Sequence, residues 1–330
     1  MIENLEEILT KTILSFIPKN VKPLSYLMSV LGIGRESVYR RLKGVIPFTF
    51  KEVVKLSGDL QFSIDEMIEN GVKNNNYLSG HQEGGQQAPE QYFYTSHLNF
   101  YNFLQAINDA KEVDVYLSLN RLCSFFTVGF DTLFKFNYYI WLNQFGEIPF
   151  NTAFSDVRLP LQIVSLQHKI KAKTSSVKDI TFIFDRNILT KLVQELQYYY
   201  SRKLITEDEL QEIKKDLAGF LDSFEKLIQS GTEKESYSTC HFYLSMLNID
   251  MNSVYGTIDE DVISHFWTYA DIAHNTGHND LIASHRNWIH SLKRGSIMIS
   301  QSNEITQASF LNLQRKNIDK ITNDLFFYYG

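Results

Sequence analysis

The sequence predicts an α+β protein: a small all-α N-terminal domain, then a larger α+β domain whose mixed sheet is flanked by helices. Three observations lead there. Residues 1 to 71 carry short apolar runs at helical spacing. Residues 72 to 91, VKNNNYLSGHQEGGQQAPEQ, hold an Asn triplet, three glycines and a proline among almost no aliphatic side chains, the composition of a linker. From 92 to 330, strand-like and helix-like segments alternate irregularly. A flexible stretch of about 20 residues has a root-mean-square span of roughly 25 Å, which makes rigid transmission across it hard.

A chain of 330 residues is long enough for two domains. With 44% hydrophobic and 14% aromatic residues a sizeable core can form, and global disorder is excluded. Cys123 and Cys240 stand far apart without CxxC spacing, as reduced core thiols of a cytoplasmic protein do. The start, MIENLEEILTK, is acidic where a secretory signal is basic. The most apolar run, residues 122 to 142, is broken by Asp131, Lys135 and Asn137, so it reads as a buried helix and no membrane partner is expected.

In the N-terminal domain, Leu5, Ile8, Leu9, Thr12, Ile13 and Phe16 trace a first amphipathic helix that stops at Pro18. A second covers Leu24 to Leu31. Gly32 suits a tight turn and Gly34 an N-cap, so a third helix runs from Arg35 to Lys43 and ends at Gly44. Capping boxes, Thr49 with Glu52 and Ser63 with Glu66, announce a fourth and a fifth.

The third helix carries the chemistry. With Leu24, Leu27, Leu31, Ile33, Val38 and Leu42 facing inward, its opposite face presents Arg35, Glu36, Tyr39, Arg40 and Lys43. Residues 1 to 70 are neutral, with nine cations and nine acids, but residues 35 to 55 hold six cations against two acids. Local field, more than net charge, decides where a polyanion docks.

Residues 24 to 68, LSYLMSVLGIGRESVYRRLKGVIPFTFKEVVKLSGDLQFSIDEMI, resemble the lambda-repressor-like, Cro-type helix-turn-helix family of transcriptional regulators, down to the Gly-x-x-Pro turn and the closing SIDEMI helix. The resemblance implies double-stranded DNA as partner, with the third helix in the major groove. Arg35, Glu36, Tyr39 and Arg40 would then line the base-facing surface, with Arg41, Lys43 and Lys51 on phosphates and Ser37 also among the DNA-binding residues. Such readers act as dimers on half-sites about 34 Å apart, so a homodimer is expected.

In the body, EVDVYLSL at 112 to 119 reads as a half-buried strand and ITFIF at 180 to 184 as one buried on both faces. Residues 240 to 258 read as a hairpin turning near Asn248 to Asn252, with weaker strands at 262 to 270 and 296 to 300. Helices are expected at 97 to 111, 122 to 143, 187 to 200, 206 to 229, 278 to 293 and 303 to 327. That at 206 to 229 opens on the box Thr206 to Glu209 and carries a stripe from Leu210 to Ile228, a candidate dimer interface.

Signs of catalysis are thin. Five of nine histidines lie between 265 and 290, and His274 and His278 have the spacing of a helical metal pair. Gly277 and two asparagines make that segment a turn, however, and no third ligand is set by spacing. No GxSxG, Walker or HExxH pattern occurs, and Cys240 and His241, neighbours on a strand, point to opposite faces. The expectation is a cytoplasmic regulator that is no enzyme and needs no metal or cofactor, its body serving dimerisation and a small-molecule effector. The competing readings are an enzyme domain on a DNA-targeting head and a helical protein-interaction module.

Overall fold

The structure, a computed structural model, describes residues 5–18, 21–60, 62, 64, 67, 89–174, 180–230, 240–267, 273–275 and 279–323. The fold is α+β, and the chain divides into two compact units.

The N-terminal unit holds α1 (Leu5–Phe16), α2 (Pro23–Leu31), α3 (Arg35–Leu42) and α4 (Phe50–Leu60). Its core gathers Leu9, Ile13, Leu27 and Val38 from the predicted inward stripes, together with Val53, Leu56 and Leu60 of α4 and with Phe62 and Met67. Most of the predicted fifth helix, with its Ser63 and Glu66, lies outside the described residues, as do residues 72 to 88. The linker assignment ran three residues too far, because Pro89, Glu90 and Gln91 form the first turn of the next helix. Proline at a first helical position gives up only an N–H that had no partner there.

The C-terminal unit contains α5 (Pro89–Asp109), β1 (Val113–Leu119), α6 (Asp131–Gln144), α7 (Leu161–Thr174), β2 (Ile180–Asp185), α8 (Thr190–Ser201) and α9 (Glu207–Ser230). They are followed by β3 (His241–Ser245), β4 (Ser253–Ile258), β5 (Asp261–Trp267), β6 (Ala273–Asn275), α10 (Asn279–Arg294), β7 (Ser296–Met298) and α11 (Glu304–Asn323). Among the described residues the sheet has seven strands in the order β6-β5-β4-β1-β2-β3-β7. β1, β2 and β3 run parallel and the remaining pairs antiparallel, so the sheet is mixed as expected.

One face of the sheet, with Val115, Leu117, Leu119, Phe184, Phe242, Val254 and Ile263, joins the main core under α5 to α9 and α11. On the other face, Tyr116, Ile183 and Tyr255 pack against Ile289 and Leu292 of α10. β1 is therefore buried on both faces from Val115 on, where alternation had suggested one. α10 is pinned by a buried chain of polar groups. His285 Nδ1 lies 2.8 Å from Ser264 Oγ and Nε2 lies 3.0 Å from Ser253 Oγ, which is 2.7 Å from Ser118 Oγ. Burial pushes the pKa of His285 down to about 4, and burial with His285 nearby pushes His265 down to about 3.

The expected 240 to 258 hairpin does not form. β3 pairs with β2 and β4 with β1, so two strands separate them. The reason lies in the loop, which is tied down across the carboxyl ends of those two strands. Asp185 accepts the Ile249 N–H at 3.1 Å, and Asn252 Oδ1 accepts that of Asn120 at 2.7 Å. β4 instead makes its hairpin with β5, where Asp259 sits at φ 51° and its carboxylate takes the N–H groups of Lys111 and Glu112.

The predicted helix at 122 to 143 is a short 3-10 turn, Ser124–Thr127, and then α6, whose first turn is capped from α9: Asp216 accepts the N–H groups of Thr132 and Leu133. The periodicity reading missed α7 and the three-residue β6. Thr206 and Glu209 do form their capping box ahead of α9. The α9 stripe, however, is consumed inside the unit: Leu210, Ile213, Leu217, Leu221 and Ile228 are buried in the main core. Baring five such side chains would cost on the order of 10 kcal/mol, so that stripe does not serve as a dimer interface.

Candidate nucleic-acid interface

α2 and α3 are joined by three residues. Gly32 stands at φ 70°, a left-handed conformation that glycine adopts without Cβ strain, and its N–H closes α2 on the Met28 carbonyl. Gly34 is extended and starts α3. The far end of α3 is a Schellman motif: Gly44 at φ 68° donates to the Arg41 carbonyl and Val45 to that of Arg40. The helix is thus stopped sharply at both ends, and Val38 is its buried anchor.

With Val38 inward, Arg35, Glu36, Tyr39, Arg40 and Lys43 are exposed together and Ser37 is half-buried. Lys43 Nζ sits 6.0 Å from the centroid of the Tyr39 ring. Lys51 is exposed on α4, and so is Lys55 one turn later on the same side. Seven of the eight predicted DNA-facing residues, all but Arg41, therefore belong to α3, its C-terminal turn and the start of α4 with no ion pair described for them.

Arg41 differs. Its Nε donates to Glu52 Oε2 at 2.9 Å and its Nη1 to the Ser37 carbonyl at 3.1 Å, and the pair is 13% and 15% exposed. The same Glu52 oxygen accepts the Thr49 N–H at 2.8 Å, completing the predicted capping box. Burial works to raise the Glu52 pKa, but the bonds from Arg41 and Thr49 outweigh it and hold the carboxyl below its ordinary value. Arg41 thus ties α3 to the start of α4, and its guanidinium is engaged where the sequence reading had offered it to a phosphate.

Two apolar side chains beside this surface escaped the sequence reading. Val45 is 62% exposed and Phe50 79%. Each sits next to a turn residue, and that position, not its hydrophobicity, was the available signal. Exposed apolar groups flanking a row of cations can meet thymine methyls in a major groove.

His274 and His278 do not meet as a pair on a helix. His274 is on β6, where its backbone is opposite Phe266, and His278 lies outside the described residues. Among the described residues, no three His, Cys, Asp or Glu side chains gather closely enough to hold a metal ion. Nor is any helix among them long and apolar enough to cross a membrane. Comparison with protein-family models, curated proteins and solved structures returned no match.

Proposed function

We propose that the protein is a DNA-binding transcriptional regulator of the helix-turn-helix kind, with α3 reading the major groove. The observation that carries this reading is the exposed row of Arg35, Glu36, Tyr39 and Arg40 on a short helix that Val38 anchors and two glycine turns delimit. Arg35, Glu36, Ser37, Tyr39 and Arg40 contact base edges, Lys43 and Lys51 contact phosphates, and Arg41 orients the helix through Glu52. The protein works in the cytoplasm as a homodimer that puts two heads on one site, and it is not an enzyme. The C-terminal unit holds the dimer together through a surface other than the α9 stripe and receives a small-molecule effector.

The test is fluorescence anisotropy of the full chain on a selected duplex and on random duplexes, across a salt series. The expected result is affinity that falls linearly in log–log form with salt, and an Arg40→Ala variant that binds the selected duplex at least tenfold more weakly. Salt-independent affinity, or an unaffected Arg40→Ala variant, would overturn the reading. Light scattering that finds only monomer, on DNA as well as off it, would remove the dimer.

A further inference from the structure

The C-terminal unit contains a small cavity at the carboxyl end of β1, walled by Phe93 of α5, Leu122 after β1, Ile140 and Trp141 of α6, and Leu192 of α8. All five are at least nine-tenths buried. Ser124 and Asn137 complete the lining and make it part polar, with Asn137 Nδ2 donating to Thr127 Oγ1 and to the Leu133 carbonyl, each at 3.0 Å. At the mouth, where the cavity meets an outer groove, stand Lys191, Gln144 and Glu195, with Gln144 Nε2 donating to Glu195 Oε1 at 3.4 Å, and Arg121 also lines the cavity. Beyond it a shallow groove runs along α8, bounded by Gln194, Tyr198 and Tyr199, which leaves the mouth in contact with water.

We propose that this cavity binds a short-chain monocarboxylate, its hydrocarbon tail inside and its carboxylate at the mouth. Four features set that choice. The volume is about 50 Å³, and since one water needs roughly 10–15 Å³ on this measure, the space takes a chain of about three to five heavy atoms. The charged lining residues are two cations, Arg121 and Lys191, and one acid, Glu195, a net charge of +1, which matches a single negative head group. Lys191 and Leu192 also belong to the first turn of α8, the positive end of its dipole, where the capping residue Leu189 has no polar side chain to offer. Finally, β1 and β2 run parallel side by side, and in α/β sheets the crevice beyond the carboxyl ends of parallel strands is where ligands bind.

Geometry also explains why the charge stays outside. Burying an unpaired carboxylate against these walls would be costly, whereas at the mouth it keeps water on one side and cations on the other. Arg121 is held in place by Asn252, whose Nδ2 donates to its carbonyl at 3.3 Å and whose Oδ1 accepts its N–H at 3.3 Å. The rim is therefore anchored to the same loop that caps the sheet.

The site lies wholly within the C-terminal unit, and its test uses the full chain without DNA, so it stands apart from the DNA-reading proposal. Calorimetric titration with sodium acetate, propionate, butyrate, valerate and octanoate, at constant ionic strength with sodium chloride, is the measurement. Affinity in the millimolar range is expected, tightening about fourfold per added methylene up to four or five carbons and no further at octanoate. Lys191→Gln, at an exposed position, should weaken butyrate at least fivefold, and 1-butanol and butylamine should bind at least tenfold more weakly than butyrate. No heat with butyrate at tens of millimolar would overturn the proposal. So would butanol binding as well as butyrate, continued tightening to octanoate, or an unchanged Lys191→Gln variant.

Discussion

Arg40 and Arg41 stand side by side on α3 and have different tasks. Arg40 is exposed, while Arg41 is drawn in to Glu52. Replacing each by alanine separates the roles. Arg41→Ala should leave the slope of log affinity against log salt unchanged but destabilise the N-terminal unit by about 1–2 kcal/mol, read as a lower urea midpoint. Arg40→Ala should do the reverse, with a loss of DNA affinity and little change in the urea midpoint. A slope reduced by about one unit in Arg41→Ala would mean that Arg41 touches phosphate after all. The histidines make a second test at this scale. His285 titrates near 4 in the fold and about 6.5 when unfolded, and His265 near 3. Above about pH 7.5 both are neutral in either state and contribute no pH dependence. As pH falls from about 7.5 towards 4 only the unfolded chain takes up the protons, so stability drops by up to about 1.4 kcal/mol per pH unit for each histidine. Urea midpoints measured from pH 8 to 4.5 should show this decline in the C-terminal unit, and His285→Gln should make it shallower.

At the scale of elements, β4 depends on one absence. Gly256 lies opposite Val115 of β1, and a Cβ there would sit 2.2 Å from the Asp114 carbonyl oxygen and 2.7 Å from the Val115 Cα. Both are backbone atoms held by the sheet and cannot swing aside. Gly256→Ala should therefore cost about 3 kcal/mol or more, seen as a loss of thermal stability, because the β1–β4 ladder has to part to admit the methyl. Ala substituted at Gly34, where nothing lies within 4 Å, should be mild by comparison. The contrast shows how a glycine that serves a turn and a glycine that serves packing look alike in a sequence and differ in three dimensions. α6 carries the same lesson, since the cap of its first turn comes from Asp216, eighty-odd residues away on another helix.

For the whole molecule, two separate cores imply two separate stabilities. The N-terminal core is built on Ile13, Leu27, Val38 and Leu56, and the C-terminal one on the sheet with the helices that pack on its two faces. Heating the full chain in a calorimeter should accordingly give two transitions, and Gly256→Ala should move only one of them. A single cooperative transition shifted as a whole by that substitution would mean that the units fold as one. If the proposed function holds, a variant that unfolds the C-terminal unit should also weaken DNA binding by removing the dimer, while leaving the fold of the head intact.

Much of this protein is written locally. Helix starts and stops at Thr49, Thr206, Gly32 and Gly44, and the separation of Val38 from Arg35, Glu36 and Tyr39 on α3, all follow from capping chemistry and period, which act between residues a few positions apart. Choices between distant partners were not legible. Which strand neighbours β3, whether Arg41 meets Glu52 or solvent, that the α9 stripe is spent on the core, and that side chains of α5, α6 and α8 enclose a cavity beside Lys191 depend on groups that fold closure alone brings together. The physical reason is one of range: backbone propensity and capping energies are set within a turn of chain, whereas burial and ion pairing depend on whatever surface the rest of the molecule supplies.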